Sequence, residues 1–364
     1  MKTVGIIDAE LLVNQQHRFP NLACMKLASY HKQRGDVVTL VPSYKYVNDF
    51  SRVYISCVFT EIAKTIPPAV LKLPHVSFGG TGFFFDKALP LSKAVEHSPP
   101  DYNLYDSWLK TQNGKTGLKY YTNYSLGFLT RGCCRRCGFC VNRNARKAVQ
   151  ASSLREFYNP NRKRVCLLDD NILAYKESEQ LLVNLVRTCD QDGTPFEFKQ
   201  GLDIRLLTPK IAKLLQAAPY YGEIIFAFDD IKDATSIRRG LNIMRKYLPS
   251  KGTKCYILCG FQDQTWQDIA TVFRRLQILW EFQTIGYVMR HENHRLASPV
   301  CRPIYTHLAR WINQPQFQKS ISFRDFCDKS GGKAARAVTA FGKAYPDVVK
   351  EYFTIKYRDF AGRG

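Results

Sequence analysis

The sequence predicts an α/β protein in which parallel strands alternate with helices, followed by a helical extension. Short apolar stretches rich in valine and isoleucine recur up to about residue 290, as is typical of buried strands. Stretches with apolar residues at helical spacing separate them. Glycine or polar residues follow most of the strand-like stretches, and this pattern is absent after residue 295. We therefore predict two successive α/β regions and a C-terminal helical region.

Composition narrows the functional classes. No run of about 18 uncharged apolar residues occurs, so no membrane-spanning segment is expected. Twelve cysteines without a secretory signal favour reduced thiols and metal binding, and hence a cytoplasmic location. Lys plus Arg total 53 against 31 Asp plus Glu, a net charge of +22. This surplus favours a polyanionic partner such as nucleic acid, with general solubility as the alternative.

Residues 1–97 predict a Rossmann-like, doubly wound parallel sheet. A helix is expected over residues 20–35, where a glycine stops it. The expected strands cover residues 4–7, 37–41, 53–58 and 75–80. Residues 98–124, with a Pro-Pro and an Asn-Gly pair, indicate a linker.

Residues 125–295 repeat the order strand, loop, helix and predict a partial (β/α)6 barrel of the TIM type. The expected strands cover residues 124–129, 165–168, 196–199, 224–228, 255–259 and 285–289. Because barrel enzymes carry their chemistry at the carboxyl ends of the strands, the polar residues found there are candidates for a site.

A cysteine-rich loop follows the first of these strands. Cys133, Cys137 and Cys140 have the spacing Cys-x3-Cys-x2-Cys when Cys134 is left out. Three thiolates this close can hold one cluster, and iron–sulfur clusters usually have four cysteine ligands. A zinc site would want a fourth Cys or His at a matching spacing. The loop therefore predicts a cluster with one open iron, with a zinc loop or chance clustering as alternatives.

This loop resembles that of the radical S-adenosylmethionine (radical SAM) superfamily, in which three cysteines at this spacing hold a 4Fe-4S cluster. Phe139, the aromatic residue before the last cysteine, also fits. The resemblance implies that the open iron binds S-adenosyl-L-methionine. One electron, from a donor such as flavodoxin or ferredoxin, then releases a 5′-deoxyadenosyl radical that modifies a substrate.

Other strand ends resemble cofactor-binding elements of the same family. Arg205 falls where an arginine pairs with the cofactor carboxylate, and Asp229 where many relatives have a glutamate. Gly260 lies in a segment similar to Gly-Phe-Pro-Gly-Glu-Thr, and Asp170 in an Asp-Asp-Asn run that replaces Gly-Gly-Glu. The resemblance implies that these four residues bind the cofactor. A structural pair between Arg205 and Asp203, or aspartates that cap helices, would explain the same pattern.

The last strand ends in three further candidates, His291, Glu292 and His294. We predict that they contact substrate or transfer a proton. A solvated polar strand end is the alternative for all three.

The N-terminal region resembles the cobalamin-binding domain that precedes the barrel in one class of the superfamily. A Gly-Gly turn follows its fourth strand, as in that class. The Asp-x-His-x-x-Gly signature of cobalamin ligation is absent. We therefore predict a degenerate relative of this domain that does not bind cobalamin tightly.

Residues 296–364 predict a basic, aromatic-rich helical region, with helices expected over 303–311 and 332–350. It holds twelve Lys or Arg, five Asp or Glu, and many aromatic residues. We expect the aromatic side chains to dock the helices onto the preceding domain. Base stacking is the alternative.

The cysteine loop lies in the most basic stretch of the chain. Residues 131–164 hold ten Lys or Arg and one acid, Glu156, and the first barrel helix is expected there. Cations from Arg143 onward have no acidic neighbours in sequence, so we expect them to steer a phosphate-bearing substrate. The sequence predicts a radical SAM enzyme that modifies nucleic acid or a nucleotide. The alternatives are an enzyme for a peptide or small metabolite, and a non-catalytic iron–sulfur binding protein.

Overall fold

The computed structural model describes residues 1–14 and 17–363 and shows a mixed α/β fold with parallel-strand sheets. The chain divides into two compact units. The first contains residues 1–175 and 189–197, and the second contains residues 176–188 and those from 198 onward. This division falls inside the segment assigned from sequence to the barrel. Within the described residues, every helix is too short or too polar to cross a membrane.

The first unit begins with a four-stranded parallel sheet in the order β2-β1-β3-β4. Its strands are β1 (Thr3–Asp8), β2 (Val37–Leu40), β3 (Arg52–Ser56) and β4 (Val76–Gly79). All four lie where the apolar stretches predict them. The prediction that these strands are parallel is also confirmed.

Both faces of this sheet are apolar, because successive side chains of a strand point to opposite sides. Val4 and Ile6 of β1 belong to a buried cluster with Met25. Ile7 of the same strand belongs to a second cluster with Ile55. The sheet therefore has a hydrophobic core on each side.

Eight helices of the first unit connect these strands or follow them. They are α1 (Ala9–Val13), α2 (Leu22–Gln33), α3 (Thr60–Ala63), α4 (Pro68–Leu71), α5 (Thr81–Phe84), α6 (Lys93–Glu96), α7 (Asp106–Lys110) and α8 (Lys119–Thr122). Helix α2 begins two residues later than the sequence predicts, because the Asn21 side chain accepts hydrogen bonds from Ala23 N and Cys24 N.

A second sheet of this unit has the order β5-β8-β9. Its strands are β5 (Tyr124–Gly127), β8 (Arg164–Leu167) and β9 (Phe196–Phe198), which crosses the boundary of the unit at its last residue. β5 and β8 are parallel. Along the chain, the short antiparallel strands β6 (Thr130–Arg131) and β7 (Val149–Gln150) come between β5 and β8 and form a separate sheet.

The prediction of a barrel helix between residues 131 and 164 was wrong. This stretch, all of it described, contains turns, β7 and one 3-10 turn at Leu154–Glu156, but no α-helix. Its apolar residues are too sparse to form the apolar stripe by which an amphipathic helix packs on a sheet. The next helix is α9 (Ser178–Gln191).

The second unit contains a parallel sheet in the order β10-β11-β12. Its strands are β10 (Ile224–Ala227), β11 (Thr253–Cys259) and β12 (Ile285–Arg290). Its helices are α10 (Pro209–Ala217), α11 (Ala234–Tyr247), α12 (Trp266–Glu281), α13 (Arg302–Ile312), α14 (Pro315–Ser320), α15 (Phe323–Ser330), α16 (Gly332–Ala344) and α17 (Pro346–Val348). Predicted helix 332–350 breaks near Pro346, which cannot continue the backbone hydrogen bonds.

Aromatic residues of the C-terminal region pack onto α12, as expected. The Phe273 ring of α12 lies 5.3 Å from the Phe353 ring and 5.9 Å from the Phe323 ring, measured between centroids. Trp280 meets Trp311 edge to face at 6.1 Å. Because these rings are buried, most of the region's aromatic residues are not available to stack on bases.

The outer edge of β12 is covered by side-chain amides instead of another strand. Asn313 accepts from Val288 N at 2.7 Å and donates to Val288 O at 3.0 Å. Gln318 does the same at Gly286, accepting from N at 3.0 Å and donating to O at 2.9 Å. The two amides thus satisfy backbone groups that an edge strand would otherwise leave unpaired.

Candidate functional site

In the first unit the cysteine loop lies between β6 and β7, whose antiparallel pairing closes it at the base. Gly132, the first residue of the loop, has a φ of +92°. A Cβ atom there would lie 2.5 Å from the carbonyl oxygen of Lys147. Glycine is therefore required where the two ends of the loop approach each other.

Two consecutive aspartates after β8 anchor the start of this loop. Asp169 accepts from Leu129 N at 3.2 Å, Thr130 N at 2.6 Å and the Thr130 hydroxyl at 2.7 Å. Asp170 accepts from Gly132 N and from the Asn142 side chain, both at 2.7 Å. Burial raises the pKa of Asp169 to about 6. Asp170 was predicted to bind the cofactor, but in this structure both of its carboxylate oxygens accept hydrogen bonds from the loop.

The three sulfurs at the predicted spacing have a different environment from the other cysteines. Cys133, Cys137 and Cys140 are half-buried, Cys134 is exposed, and the remaining eight are buried. The Cys133 sulfur accepts from Arg135 N and from Asn171 Nδ2, both at 3.3 Å, and the Cys140 sulfur accepts from Asn142 N at 3.4 Å. Hydrogen bonds to sulfur are among the features that tune bound iron–sulfur clusters.

Among residues 1–14 and 17–363, no three His, Cys, Asp or Glu side chains converge in a group that could hold a metal ion. The thiols are therefore not gathered around a common point. The partial exposure, the donors to sulfur and the fixed loop base suit a cluster, whereas the three sulfurs would have to move together to bind it. The cluster itself stays a prediction.

Some of the cations around the loop form ion pairs, and others form none with the residues that the structure describes. Arg143 pairs with Asp86 at 2.5 Å, a partner far away in sequence, and Arg131 lies 3.4 Å from Glu96. Arg146 and Lys147 are exposed and make no ion pair with any residue that the structure describes. Arg143, one of the cations expected to bind phosphate, is thus already paired with Asp86.

In the second unit, Arg205 is held by two carboxylates. Its Nε and Nη2 atoms donate to Asp203 at 2.7 and 3.1 Å, and Nη1 donates to Asp233. Burial lowers the pKa of Arg205, but the hydrogen bonds and charges of the two aspartates outweigh burial and raise it overall. The structural pair between Arg205 and Asp203 is confirmed.

Asp229 is half-buried at the carboxyl end of β10 and accepts from Leu258 N of β11 at 3.0 Å. Burial raises its pKa. Arg275 of α12, which sequence reasoning missed, is only 1% exposed and donates to the carbonyl oxygens of Asp229 and Leu258, each at 2.8 Å. The helical period of α12 places Arg275 on the buried face with Leu279, and this signal could have identified it.

Gly260 forms the turn after β11 with a φ of +69°. Its N–H donates to Asp268 at 2.7 Å, and the same oxygen accepts from the Tyr305 hydroxyl at 2.9 Å. A Cβ atom at Gly260 would lie 2.6 Å from the Cβ of His294. The glycine thus lets the turn after β11 lie against the segment after β12.

His291 and His294 are half-buried after β12, and Glu292 is exposed. The His291 Nδ1 accepts from Asn293 N at 3.2 Å, so this ring caps the 3-10 turn Glu292–Leu296. The His294 Nδ1 lies 2.7 Å from the carbonyl oxygen of His291. Because a carbonyl only accepts, this nitrogen carries the proton, and Nε2 of a neutral His294 has the lone pair of a base.

No protein-family model and no curated protein matches the chain.

Proposed function

We propose that this chain is a radical SAM iron–sulfur enzyme. The observation that carries the proposal is that only Cys133, Cys137 and Cys140 of the twelve cysteines are half-buried, and that these three have the spacing Cys-x3-Cys-x2-Cys. The finer fold belongs to the same proposal, with a Rossmann-like sheet over residues 1–97 and a partial (β/α)6 barrel over 125–295.

In this proposal the three thiolates bind iron, and Cys134 does not. The Asn171 amide and the Arg135 N–H stabilise negative charge on the Cys133 sulfur. Asp170 fixes the base of the loop. The bound cluster, reduced by a donor such as flavodoxin or ferredoxin, would supply the electron for reductive cleavage of S-adenosyl-L-methionine. Cobalamin has no part in the proposal, since its ligation signature is absent.

Arg205, Asp229 and Gly260 are proposed to contact S-adenosyl-L-methionine. Arg205 binds the cofactor carboxylate only by exchanging one of its present partners. Asp233, with 36% of its side chain exposed, is the partner that exchanges, since Asp203 is 6% exposed. His294, with its free Nε2 lone pair, is the best placed of the three proposed catalytic residues to move a proton.

The test is anaerobic reconstitution with iron and sulfide. Wild type should bind about four irons and show a brown chromophore. Changing Cys133, Cys137 or Cys140 to Ala should abolish it, because each removes one of three ligands. Cys134→Ala is the matched control and should keep the cluster. Loss of the cluster in Cys134→Ala together with its retention in Cys133→Ala would show that the ligand assignment is wrong.

A second measurement separates an enzyme from a binding protein. The reconstituted protein, reduced with dithionite, should convert S-adenosyl-L-methionine to 5′-deoxyadenosine and methionine. A loaded cluster without this conversion would leave the non-catalytic alternative in place.

A further inference from the structure

Four phenylalanines form an exposed aromatic surface on the first unit. Phe59, Phe78, Phe84 and Phe85 are 59%, 39%, 43% and 37% exposed. The Phe78 and Phe84 rings are nearly parallel, with an angle of 9° and centroids 6.0 Å apart. A cluster of exposed apolar rings on one part of a protein indicates an interaction site.

This aromatic surface is fixed to the sheet. Phe78 belongs to β4, and the other three phenylalanines lie on the segments that follow β3 and β4, two neighbouring strands. The buried carboxylate of Glu10 accepts from Val58 N at 2.7 Å and from Phe59 N at 3.1 Å. Gly82 N donates to Cys57 O at 3.0 Å and so joins the two segments. The rings are therefore presented by an ordered support.

Phe85 adds an independent sign of function. Its backbone φ is +37°, a value that bulky residues rarely adopt. Such strain persists where the surrounding structure imposes it, and it clusters at functional sites. Here the strained residue directs a large apolar ring toward solvent, which folding alone would not favour.

Cations connect the aromatic surface to the cysteine loop. The Arg143 guanidinium lies 5.5 Å from the centroid of the Phe85 ring and pairs with Asp86, and Asn144 donates to Asp86 at 2.9 Å. Residues 145–147 then pass beside Gly132, where the cysteine loop begins. Because Cα atoms four residues apart are at most about 15 Å apart, the rings and the loop are neighbours.

We infer that this aromatic surface, together with Arg146 and Lys147, binds single-stranded nucleic acid with unpaired bases stacked on the phenylalanine rings. Exposed rings next to unpaired cations are complementary to a chain that alternates bases with phosphates. A duplex hides its base faces and lacks this match. The inference rests on the proposed function in one respect, since it names the substrate class for that site.

The test is fluorescence anisotropy with labelled oligouridylate, oligodeoxythymidylate and a duplex, each about 12 nucleotides long to fit usual single-strand site sizes. Both single strands should bind more tightly than the duplex. Phe59→Ala and Phe84→Ala should each weaken binding about tenfold, within the range for loss of one stacked base. Phe84→Trp should retain binding because it keeps an aromatic face, whereas Phe84→Leu should lose it despite its similar apolar area.

Tyr46→Ala is the matched control, because Tyr46 is 49% exposed and follows β2 on the opposite edge of the same sheet. It should bind like wild type. Unchanged circular dichroism in the phenylalanine variants excludes misfolding. Equal binding by wild type, Phe59→Ala and Phe84→Ala would overturn the inference. So would a dimer, seen by sedimentation, that Phe84→Ala dissociates while leaving nucleic-acid binding intact, since the surface would then join two copies.

The inferred nucleic-acid binding and the proposed cleavage of S-adenosyl-L-methionine can be tested separately. The Cys133→Ala variant should bind oligouridylate like wild type while cleaving no S-adenosyl-L-methionine. Tyr46→Ala, which lies outside the aromatic surface, should both bind oligouridylate and cleave S-adenosyl-L-methionine like wild type. If wild type binds oligouridylate but does not cleave S-adenosyl-L-methionine, the proposed function is contradicted. The inference about the binding surface is not.

Discussion

A single buried carboxyl group at the end of β1 makes the first unit sensitive to pH. Asp8 is 1% exposed and accepts from the Tyr105 hydroxyl at 2.8 Å. Its other oxygen has no hydrogen-bond partner among the described residues. Burial, with the charge of Glu10, raises the pKa of Asp8 to about 7. The folded state therefore holds a proton that the unfolded chain releases near its ordinary pKa.

Asp8→Asn should remove the contribution of Asp8 to this pH dependence and leave that of Asp169, whose pKa burial also raises. Because the folded pKa is above the unfolded value, the free energy of unfolding of wild type falls as pH rises from about 4 to 7. At pH 8 the variant should be more stable than wild type by on the order of 3 kcal/mol, and the two should converge at pH 4. Urea unfolding at both pH values measures this.

Asp49→Asn, which alters an exposed carboxyl group of the same unit, is the control and should keep the wild-type pH profile. A parallel fall in stability with pH for wild type and Asp8→Asn would mean that Asp8 is ionised in the folded protein.

At the scale of elements, α14 holds the edge of β12 through one side chain. Gln318 is fully buried and makes four hydrogen bonds, to Gly286 N, Gly286 O, Ile312 O and Trp280 Nε1. The amide supplies two donors and accepts twice, so its whole hydrogen-bonding capacity is used. No sequence pattern predicts this role, because Gly286 and Trp280 are more than 30 residues away along the chain.

Gln318→Leu should lower the free energy of unfolding by about 3 kcal/mol or more, since each buried polar group left unpaired costs about 1–3 kcal/mol. Gln316→Leu, at an exposed position of the same helix, should cost much less. Chemical denaturation of both variants measures the difference. Equal losses would show that the covered edge contributes little.

Elements whose signal is local were predictable, and those that depend on distant partners were not. Most strands of the parallel sheets follow from short apolar stretches in the sequence. The pairing of Arg143 with Asp86 depends on a tertiary contact, whereas the sparse apolar residues of 131–164 were a local sign against the predicted helix. At the candidate site, spacing selected the three cysteines that are half-buried. The exposed phenylalanines were missed because a strand end with several phenylalanines resembles core.

At the scale of the whole molecule, the net charge is +22, and only some of the basic side chains form ion pairs with acidic ones. Arg143 and Arg205 are neutralised by aspartates, whereas Arg146 and Lys147 have no ion-pair partner among the described residues. The exposed cations near the cysteine loop are therefore those that can release counterions from a phosphate chain.

Affinity for oligouridylate should fall steeply as salt concentration rises. Each phosphate contact to a single strand contributes about 0.7 to the slope of log K against log salt. Changing Arg146 and Lys147 to Glu together should therefore reduce the slope by about 1 to 2. Titrations across a range of salt concentrations measure it.

The control changes Lys333 and Arg336 of α16 to Glu, which alters net charge equally at exposed positions of the second unit. Its slope should match wild type. If both double variants lose the same slope, the effect belongs to overall charge. If wild type shows no binding at low salt, the substrate is a peptide or metabolite.

The amide-covered edge of β12 has a consequence for biosynthesis. Gln318 leaves the ribosome roughly 28 residues after the strand that it protects, which at about 5–20 residues per second takes roughly 1 to 6 s. During that interval the nascent chain presents a strand with free backbone groups in a crowded polysome, where neighbouring copies expose the same edge. A premature stop between residues 291 and 313 would make that state permanent. Such a product should require chaperones or be degraded, so the C-terminal region cannot be lost without losing the sheet.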